Sequence, residues 1–321
     1  MSHYGQLSVV VLGSGGFVGR HVCAAFARRD ARVLGIVRSG TGQDTEFPTL
    51  QLDMSRAPHE QVAEVVRAQS ADVVVNAAGA VWGVTDDQLV QSNVELTRRL
   101  IAALLLLDRR PRLVHLGSVQ EYGPGRPGST LGEDEPPRPV NSYGRSKLLA
   151  TEAVLAATRQ GQLDGVVLRI ANVCGPSAPR GSLLGMIAAH LAAVTREGAG
   201  RPVPALRLSP LRARRDFIDV RDVADAVVAT AGAELNGTTA DTRLINIGRG
   251  TAVSVRGLVN RLIALSGLDT SVIEEHEAQG GRAGAEWQQV DIARARRILD
   301  WQPSRPLEQS LRDLLAAAQG R

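Results

Sequence analysis

Residues 7–12 form a short apolar run. It ends in a turn built on glycines, Gly13-Ser14-Gly15-Gly16-Phe17-Val18-Gly19, and residues 17–29 then take up helical periodicity. This strand, turn and helix constrain the chain more than any other feature. Glycines at 13, 16 and 19 give the spacing G-x-x-G-x-x-G. The first permits a tight turn, the second lets backbone N–H groups approach a pyrophosphate, and the third allows close helix–sheet packing. The unpaired N–H groups of a helix N-terminus favour an anion. The pattern predicts dinucleotide binding at Gly13, Gly16, Phe17, Val18 and Gly19 rather than a purely structural turn.

The same alternation continues. Residues 32–37, 73–76, 113–116 and 165–170 read as strands, and 86–107 and 143–157 as helices. Strands alternating with helices predict an α/β fold with a doubly wound parallel sheet covered on both faces. After about residue 174 the rhythm breaks at Gly175-Pro176 and Pro179. A helix at 183–195, an irregular or short-stranded Pro- and Arg-rich stretch at 201–216, a helix at 220–230, a strand at 244–247 and helices at 291–299 and 307–317 follow. The expected division is a dinucleotide-binding domain over 1–174, with 218–250 returning to it. A smaller, mainly substrate-binding part over 175–321 would close a cleft against it.

Composition removes several alternatives. The chain has 321 residues, of which 44% are hydrophobic and 3% aromatic, so a sizeable core must be built from Ala, Val and Leu. The formal charge is +4 and the arginines are scattered, which argues against a nucleic-acid partner. The longest apolar run, 100–107, falls far short of the roughly 20 residues a membrane span needs. Residues 1–6 are too short and polar for a signal peptide. Cys23 and Cys174 have no metal-ligand spacing and read as reduced thiols, so a cytoplasmic protein without a metal site is expected.

The second strand ends at Val37 and Arg38 follows. An acid at this place grips the ribose 2′-hydroxyl of NAD(H), whereas an Arg accommodates a 2′-phosphate, so Arg38 favours NADP(H). Asp53, with Met54 beside it, could accept a hydrogen bond from the adenine amine. The third strand ends in Asn76-Ala77-Ala78-Gly79, and the small Ala77, Ala78 and Gly79 suit a backbone passing close to a cofactor.

Tyr143-Gly144-Arg145-Ser146-Lys147 places Tyr143 and Lys147 at i and i+4 on one helix face. A phenol near pKa ~10 is a poor acid or base at neutral pH, and an adjacent ammonium should lower that value. The same ammonium can hydrogen-bond a nicotinamide ribose. Lys147 is the one lysine among 37 basic residues; the other 36 are arginines. A compact point charge can do both tasks where a broad guanidinium fits poorly, which gives the surviving lysine a chemical reason. Ser118 ends a strand at the sheet edge where doubly wound folds bind ligands. Its hydroxyl could hold a substrate oxygen beside Tyr143. Ser118, Tyr143 and Lys147 thus form a candidate proton-handling triad for a carbonyl/alcohol couple.

At these residues the chain resembles the extended short-chain dehydrogenase/reductase family, in its sugar-nucleotide, NAD-dependent epimerase/dehydratase branch. The resemblance extends over nearly the whole length. It includes Asn93-Val94-Glu95-Leu96-Thr97, Ser118-Val119-Gln120-Glu121-Tyr122-Gly123 and Leu168-Arg169-Ile170-Ala171-Asn172-Val173-Cys174-Gly175-Pro176. Arg215-Asp216-Phe217-Ile218-Asp219-Val220-Arg221-Asp222-Val223-Ala224 and Leu299-Asp300-Trp301-Gln302-Pro303 complete it. It implies a Rossmann-type domain, a homodimer formed through helices 86–107 and 143–157, and a nucleotide diphosphate sugar as substrate. It adds Asn93 and Ala171 to the cofactor site. Asn172 would hold the substrate diphosphate or sugar, Arg215 and Arg282 would contact the nucleotide diphosphate, and Trp82 and Gln120 would line the sugar site.

Departures from the family pattern narrow the reaction. Its 4,6-dehydratases place Asp-Glu directly after the Ser/Thr, where this chain has Val119 and Gln120, with Glu121 one place late. Its bifunctional 3,5-epimerase/reductases bring a Cys and a His to the sugar, near where Gln120 and Ser177 stand. The favoured expectation is NADPH-dependent reduction of a keto group, at C4, of a nucleotide-linked keto-deoxysugar. An NAD-dependent 4-epimerase using the same triad is the alternative. A non-catalytic dinucleotide-binding sensor is a third, disfavoured because Ser118, Tyr143 and Lys147 are all present.

Overall fold

Ser8–Leu12, five consecutive buried residues, form the interior strand β1 of the protein, seen in a computed structural model that describes residues 7–38, 47–197, 204–235, 238–275 and 286–320. Alternate residues of β1 serve opposite layers. Val9 and Val11 enter one hydrophobic cluster and Val10 and Leu12 another. A strand covered on both faces therefore reads as a continuous apolar run.

Along the chain β1 is followed by α1 (Phe17–Ala27), β2 (Arg32–Val37), β3 (Thr49–Gln51), α2 (His59–Ala68) and β4 (Val73–Asn76). Next come α3 (Asp86–Leu89), a π turn at Val90–Glu95, α4 (Leu96–Leu105), β5 (Arg112–Ser118), α5 (Ser142–Arg159) and β6 (Asp164–Ile170). Then follow β7 (Asn172–Cys174), α6 (Leu183–Glu197), β8 (Leu206–Leu208), β9 (Arg214–Asp219), α7 (Val220–Gly232) and β10 (Leu244–Ile247). The chain closes with β11 (Ala252–Ser254), α8 (Val255–Ser266), β12 (Val272–Glu274), β13 (Trp287–Gln288), α9 (Ala293–Leu299) and α10 (Leu307–Gln319).

The main sheet has seven strands in the order β10-β6-β5-β4-β1-β2-β3, and every pairing is parallel. The fold is thus the expected doubly wound, Rossmann-type sheet. Helices α1 and α7 pack on one face, while α2, α4 and α5 supply the cluster on the other. All strands end at the same edge, and the strand sequence reverses between β1 and β4, which opens a crevice there. A third cluster unites α6, α8 and α10 with Phe217 of β9. Beside it lie the small sheet β11-β9-β13, with β7 paired to β9, and the pair β12-β8.

The long helix expected over 86–107 is not uniform. Thr85 and Gln88 close a capping box at its start, and the π turn interrupts it around the buried Asn93. The stretch expected to be irregular or short-stranded, 201–216, carries β8 and the start of β9 among its described residues. The helix expected from 291 begins at Ala293, because the Asp291 carboxylate accepts the Ala293 N–H at 2.8 Å. Cys23 and Cys174 are both buried free thiols.

Candidate active site

The glycine turn follows β1 at the crevice. Gly13 has φ +75°, and a Cβ there would lie 2.8 Å from the backbone of Ala78 beyond β4. A Cβ on Gly19 would come within 2.1 Å of the Gly13 carbonyl oxygen, so α1 can lie against the turn only without a side chain. Gly16 is the N-cap of α1. It offers no side-chain cap, and the first turn of α1 carries no acid. The N–H groups at this helix start therefore have no side-chain acceptor from the cap and no anionic competitor, which fits a pyrophosphate. Phe17 meets His21 edge-on with centroids 6.0 Å apart, and Val18 packs on the core.

Arg38 is exposed just past β2. Asp53 accepts hydrogen bonds from the Ser55 hydroxyl at 2.6 Å and the Ser55 N–H at 3.0 Å. These bonds, led by the hydroxyl, hold its carboxyl below the usual range, and the Arg56 and Arg38 guanidiniums add to the effect. Met54 sends its side chain into the core. Ala77 N–H donates to the Leu12 carbonyl at 3.1 Å, and Ala78 N–H donates to Asn76 Oδ1 at 3.3 Å. Ala171 N–H donates to the Ile247 carbonyl at 2.8 Å.

Asn93 is committed to the protein. Its Oδ1 accepts from Ala80 N–H at 3.0 Å, and its Nδ2 donates to the Ala80 carbonyl at 3.1 Å and to Ser146 Oγ at 2.9 Å. The π turn thereby ties the loop after β4, including Gly79, to α5. π turns of this kind recur at functional sites.

Ser118 ends β5, and its hydroxyl oxygen accepts the Gln120 N–H at 3.2 Å. Asn141 caps α5 by accepting the Gly144 N–H at 2.8 Å. A Cβ on Gly144 would sit 2.4 Å from the Gln120 carbonyl, so the start of α5 presses directly on the turn after β5. This approach brings Tyr143 close to Ser118, whose hydroxyl favours the phenolate form. Lys147, one turn along α5, is buried.

Burial raises the Tyr143 phenol to about 12, despite the nearby Ser118 hydroxyl. Burial lowers the Lys147 ammonium to about 8, partly offset by the Glu121 carboxylate. The expectation that Lys147 lowers the Tyr143 pKa is therefore not met in the protein alone: desolvation of the phenolate sets the direction, and the Glu121 carboxylate adds to it. At neutral pH Tyr143 carries its proton and Lys147 its charge.

Glu121 points the other way. It is fully buried and forms a capping box with Ser118, taking the Ser118 N–H at 2.7 Å. It also accepts from Thr151 Oγ1 at 3.0 Å and from Arg169 Nε at 2.7 Å. The Arg169 guanidinium lies 4.4 Å over the Tyr122 ring, and the Tyr122 hydroxyl donates to Asn246 Oδ1 at 2.8 Å. The local signal for this buried role is that Ser118-Val119-Gln120-Glu121 is an S-x-x-E capping signature.

Of the substrate candidates, Gln120 is half-buried beside Ser118. Asn172 donates its Nδ2 to the Asp216 carbonyl at 2.9 Å, so part of its amide is used to hold β7 to β9. Arg215 lies on β9, and burial lowers its guanidinium pKa. Trp82 is 46% exposed and lies over Gly181, where a Cβ would be 3.1 Å from it. The loop after β4 thus meets the loop after β7. Arg282 lies outside the described residues. Among the described residues no His, Cys, Asp and Glu group is arranged to hold a metal, and no helix is long and apolar enough to cross a membrane.

A parallel sheet with a glycine turn at its crevice and a Ser–Tyr–Lys cluster at the same edge defines a class. The chain belongs to the NAD-dependent epimerase/dehydratase family, whose model matches residues 9–248. Among curated relatives, the dTDP-6-deoxy-L-talose 4-dehydrogenase (NAD(P)(+)) of Kitasatospora kifunensis is 39% identical over 98% of this chain and 96% of its own. The UDP-glucose 4-epimerase of Azospirillum brasilense is 28% identical over 81% of this chain and 77% of its own. Among solved structures, MoeE5 in complex with UDP-glucuronic acid and NAD superposes with a TM-score of 0.82 at 23% identity, covering 98% of this chain and 99% of that one. That last likeness speaks to the fold.

Proposed function

We propose that the protein reduces the C4 ketone of a nucleotide-linked keto-deoxysugar, with NADPH as the favoured reductant. The observation that carries the reading is the contrast between Tyr143 and Glu121. Tyr143 holds a proton beside Ser118, while Glu121, the acid nearest Ser118 in sequence, is turned into the core. Reduction needs one proton for the carbonyl oxygen and no acid for elimination.

The chemistry a bound nicotinamide supplies is hydride. The Ser118 hydroxyl would hold the ketone oxygen, and Tyr143 would deliver its proton to that oxygen. The Lys147 ammonium, one helical turn away, would stabilise the phenolate left behind and hydrogen-bond the nicotinamide ribose. The open N-terminus of α1 would take the pyrophosphate, and Arg38 the 2′-phosphate. Arg215 would face the nucleotide diphosphate, with Arg282 as a further candidate.

The Kitasatospora relative supports this reading, because dehydrogenation at C4 is the same reaction run backwards. The 4-epimerase reading draws on the Azospirillum relative and would use the same triad with a retained NAD. A homodimer through helices 86–107 and 143–157 would cover exposed apolar residues such as Val90, on the π turn, and Leu149, on α5. The test is to supply purified protein with a dTDP-4-keto-6-deoxyhexose and either NADPH or NADH, following nicotinamide absorbance. Oxidation, faster with NADPH, is expected. Interconversion of 4-epimers by protein carrying its own NAD, without oxidation of added cofactor, would replace this reading with the epimerase.

A further inference from the structure

Gln288, on β13, reaches out of the small sheet into the turn that carries Gln120. Its Nε2 donates to the carbonyls of Val119 at 3.3 Å and Gly123 at 3.4 Å. That fixes its Oε1 as the acceptor, and Gln120 Nε2 donates to it at 3.4 Å. Gln120 Oε1 in turn accepts from Asn141 Nδ2 at 3.4 Å, and Asn141 Oδ1 is committed to the Gly144 N–H at 2.8 Å. Backbone groups at both ends thus set the direction of all three side-chain amides, and flipping any one would face donor to donor or acceptor to acceptor.

Gln288 is fully buried, while Gln120 is half-buried next to Ser118. One N–H of the Gln120 amide goes to Gln288. Among the described residues the other has no hydrogen-bond partner shown, so the amide can present a donor to a ligand oxygen. β13 runs parallel to β9, and Gln288 stands in register with Arg215. The strand pair that carries the candidate nucleotide arginine therefore also carries the group that orients Gln120.

We propose that Gln288 is a positioning residue for sugar recognition: acting with Asn141, it holds the Gln120 carboxamide with an N–H aimed at a sugar oxygen beside the reacting carbon. The proposal rests on the reading of this cleft as a nucleotide-sugar site. An amide network anchored on the buried Gln288 and held from both ends keeps its orientation before the ligand arrives, which lowers the ordering cost of recognition.

The test is a double-mutant cycle in binding. Calorimetry on Gln120→Met, Gln288→Met and the double variant would use dTDP-glucose and UDP-glucose, with dTDP and UDP as sugar-free controls. Each single change should weaken the better nucleotide sugar by about tenfold, the scale of one lost hydrogen bond, and leave its nucleoside diphosphate within about twofold. The double variant should be no weaker than Gln120→Met alone. Losses that multiply, or an equal loss for the sugar-free control, would overturn the proposal. Asn141→Asp keeps the helix cap but removes the donor to Gln120. It should show the same selective loss, which keeps the test decisive if Gln288→Met does not fold.

The readout needs no turnover. A coupled cycle in a protein that reduces no ketone would sink the reductase and keep this proposal. An active reductase with a multiplicative cycle would do the reverse, and wild-type protein that binds neither nucleotide sugar would overturn this proposal.

Discussion

Glu121 Oε2 accepts a hydrogen bond from Arg169 Nε at 2.7 Å, and both side chains lie in the core rather than in the cleft. The pair sits directly behind Ser118, whose N–H the same carboxylate accepts. Removing one partner of a buried ion pair leaves the other charge uncompensated, at a cost of about 3–5 kcal/mol. Glu121→Leu should lower stability on that scale in urea unfolding. An unchanged midpoint would mean that Arg169 finds another partner at no cost.

The reductive pH profile should be set by Lys147. Burial holds its ammonium near 8, while the Tyr143 phenol stands at about 12 and keeps its proton throughout the working range. With the cofactor saturating, kcat/KM for the ketone should be level below about pH 8 and fall tenfold per pH unit above it. A profile that stays level to pH ~10 would assign the charge elsewhere.

Stability should carry the same signature with the opposite sign. The Lys147 pKa falls from an ordinary 10.5 to about 8 on folding. Below about 8 both states are charged and the folded protein bears the full burial penalty. Between about 8 and 10.5 the folded state gives up its proton first, so stability rises with pH. Lys147→Met should therefore be more stable than wild type at neutral pH, on the order of 3 kcal/mol. The difference should vanish above pH ~10.5. Thermal unfolding of the ligand-free proteins across this range measures it, and a constant difference would contradict the burial argument.

Lys147→Arg tests shape at constant charge. The variant should fold and lose most of its turnover, about a hundredfold, because a planar guanidinium cannot replace a point charge between phenolate and ribose. Circular dichroism and the absorbance assay together decide it. Near-normal turnover would show that charge alone suffices.

Arg38→Asp addresses cofactor choice. Loss of one charge-assisted contact, about 1.5 kcal/mol or more, should cut the NADPH-to-NADH ratio of kcat/KM by at least about tenfold. An unaltered ratio would remove Arg38 from the 2′-phosphate site.

Much of this molecule is legible from local pattern. The strand β1, the glycine turn and α1 announce themselves because a doubly buried strand is a run of apolar residues and a tight turn needs glycines. Tyr143 and Lys147 are visible because one helix turn sets their spacing. Other parts depend on partners remote in sequence. β13 is two residues long and exists through its pairing with β9. Gln288 gains meaning only from Val119, Gly123 and Gln120, which lie far back in the chain. α2 buries only Val62, Ala63 and Val66 beside an otherwise polar face, too narrow a stripe to stand out in the sequence. The Tyr143 pKa went the other way from the sequence argument, because burial is a property of the folded surroundings and not of spacing.

β10 returns from the far end of the chain to pair with β6, whose residues are almost all buried. A fragment ending near residue 174 would leave β6 as a bare sheet edge of apolar residues with unpaired backbone groups, a template for sticking to other copies. It would also expose the side of α1 that α7 covers. The two parts of the chain on either side of residue 174 are thus poor candidates for separate production. A permuted chain that keeps β10 beside β6 would be a sounder way to move the termini.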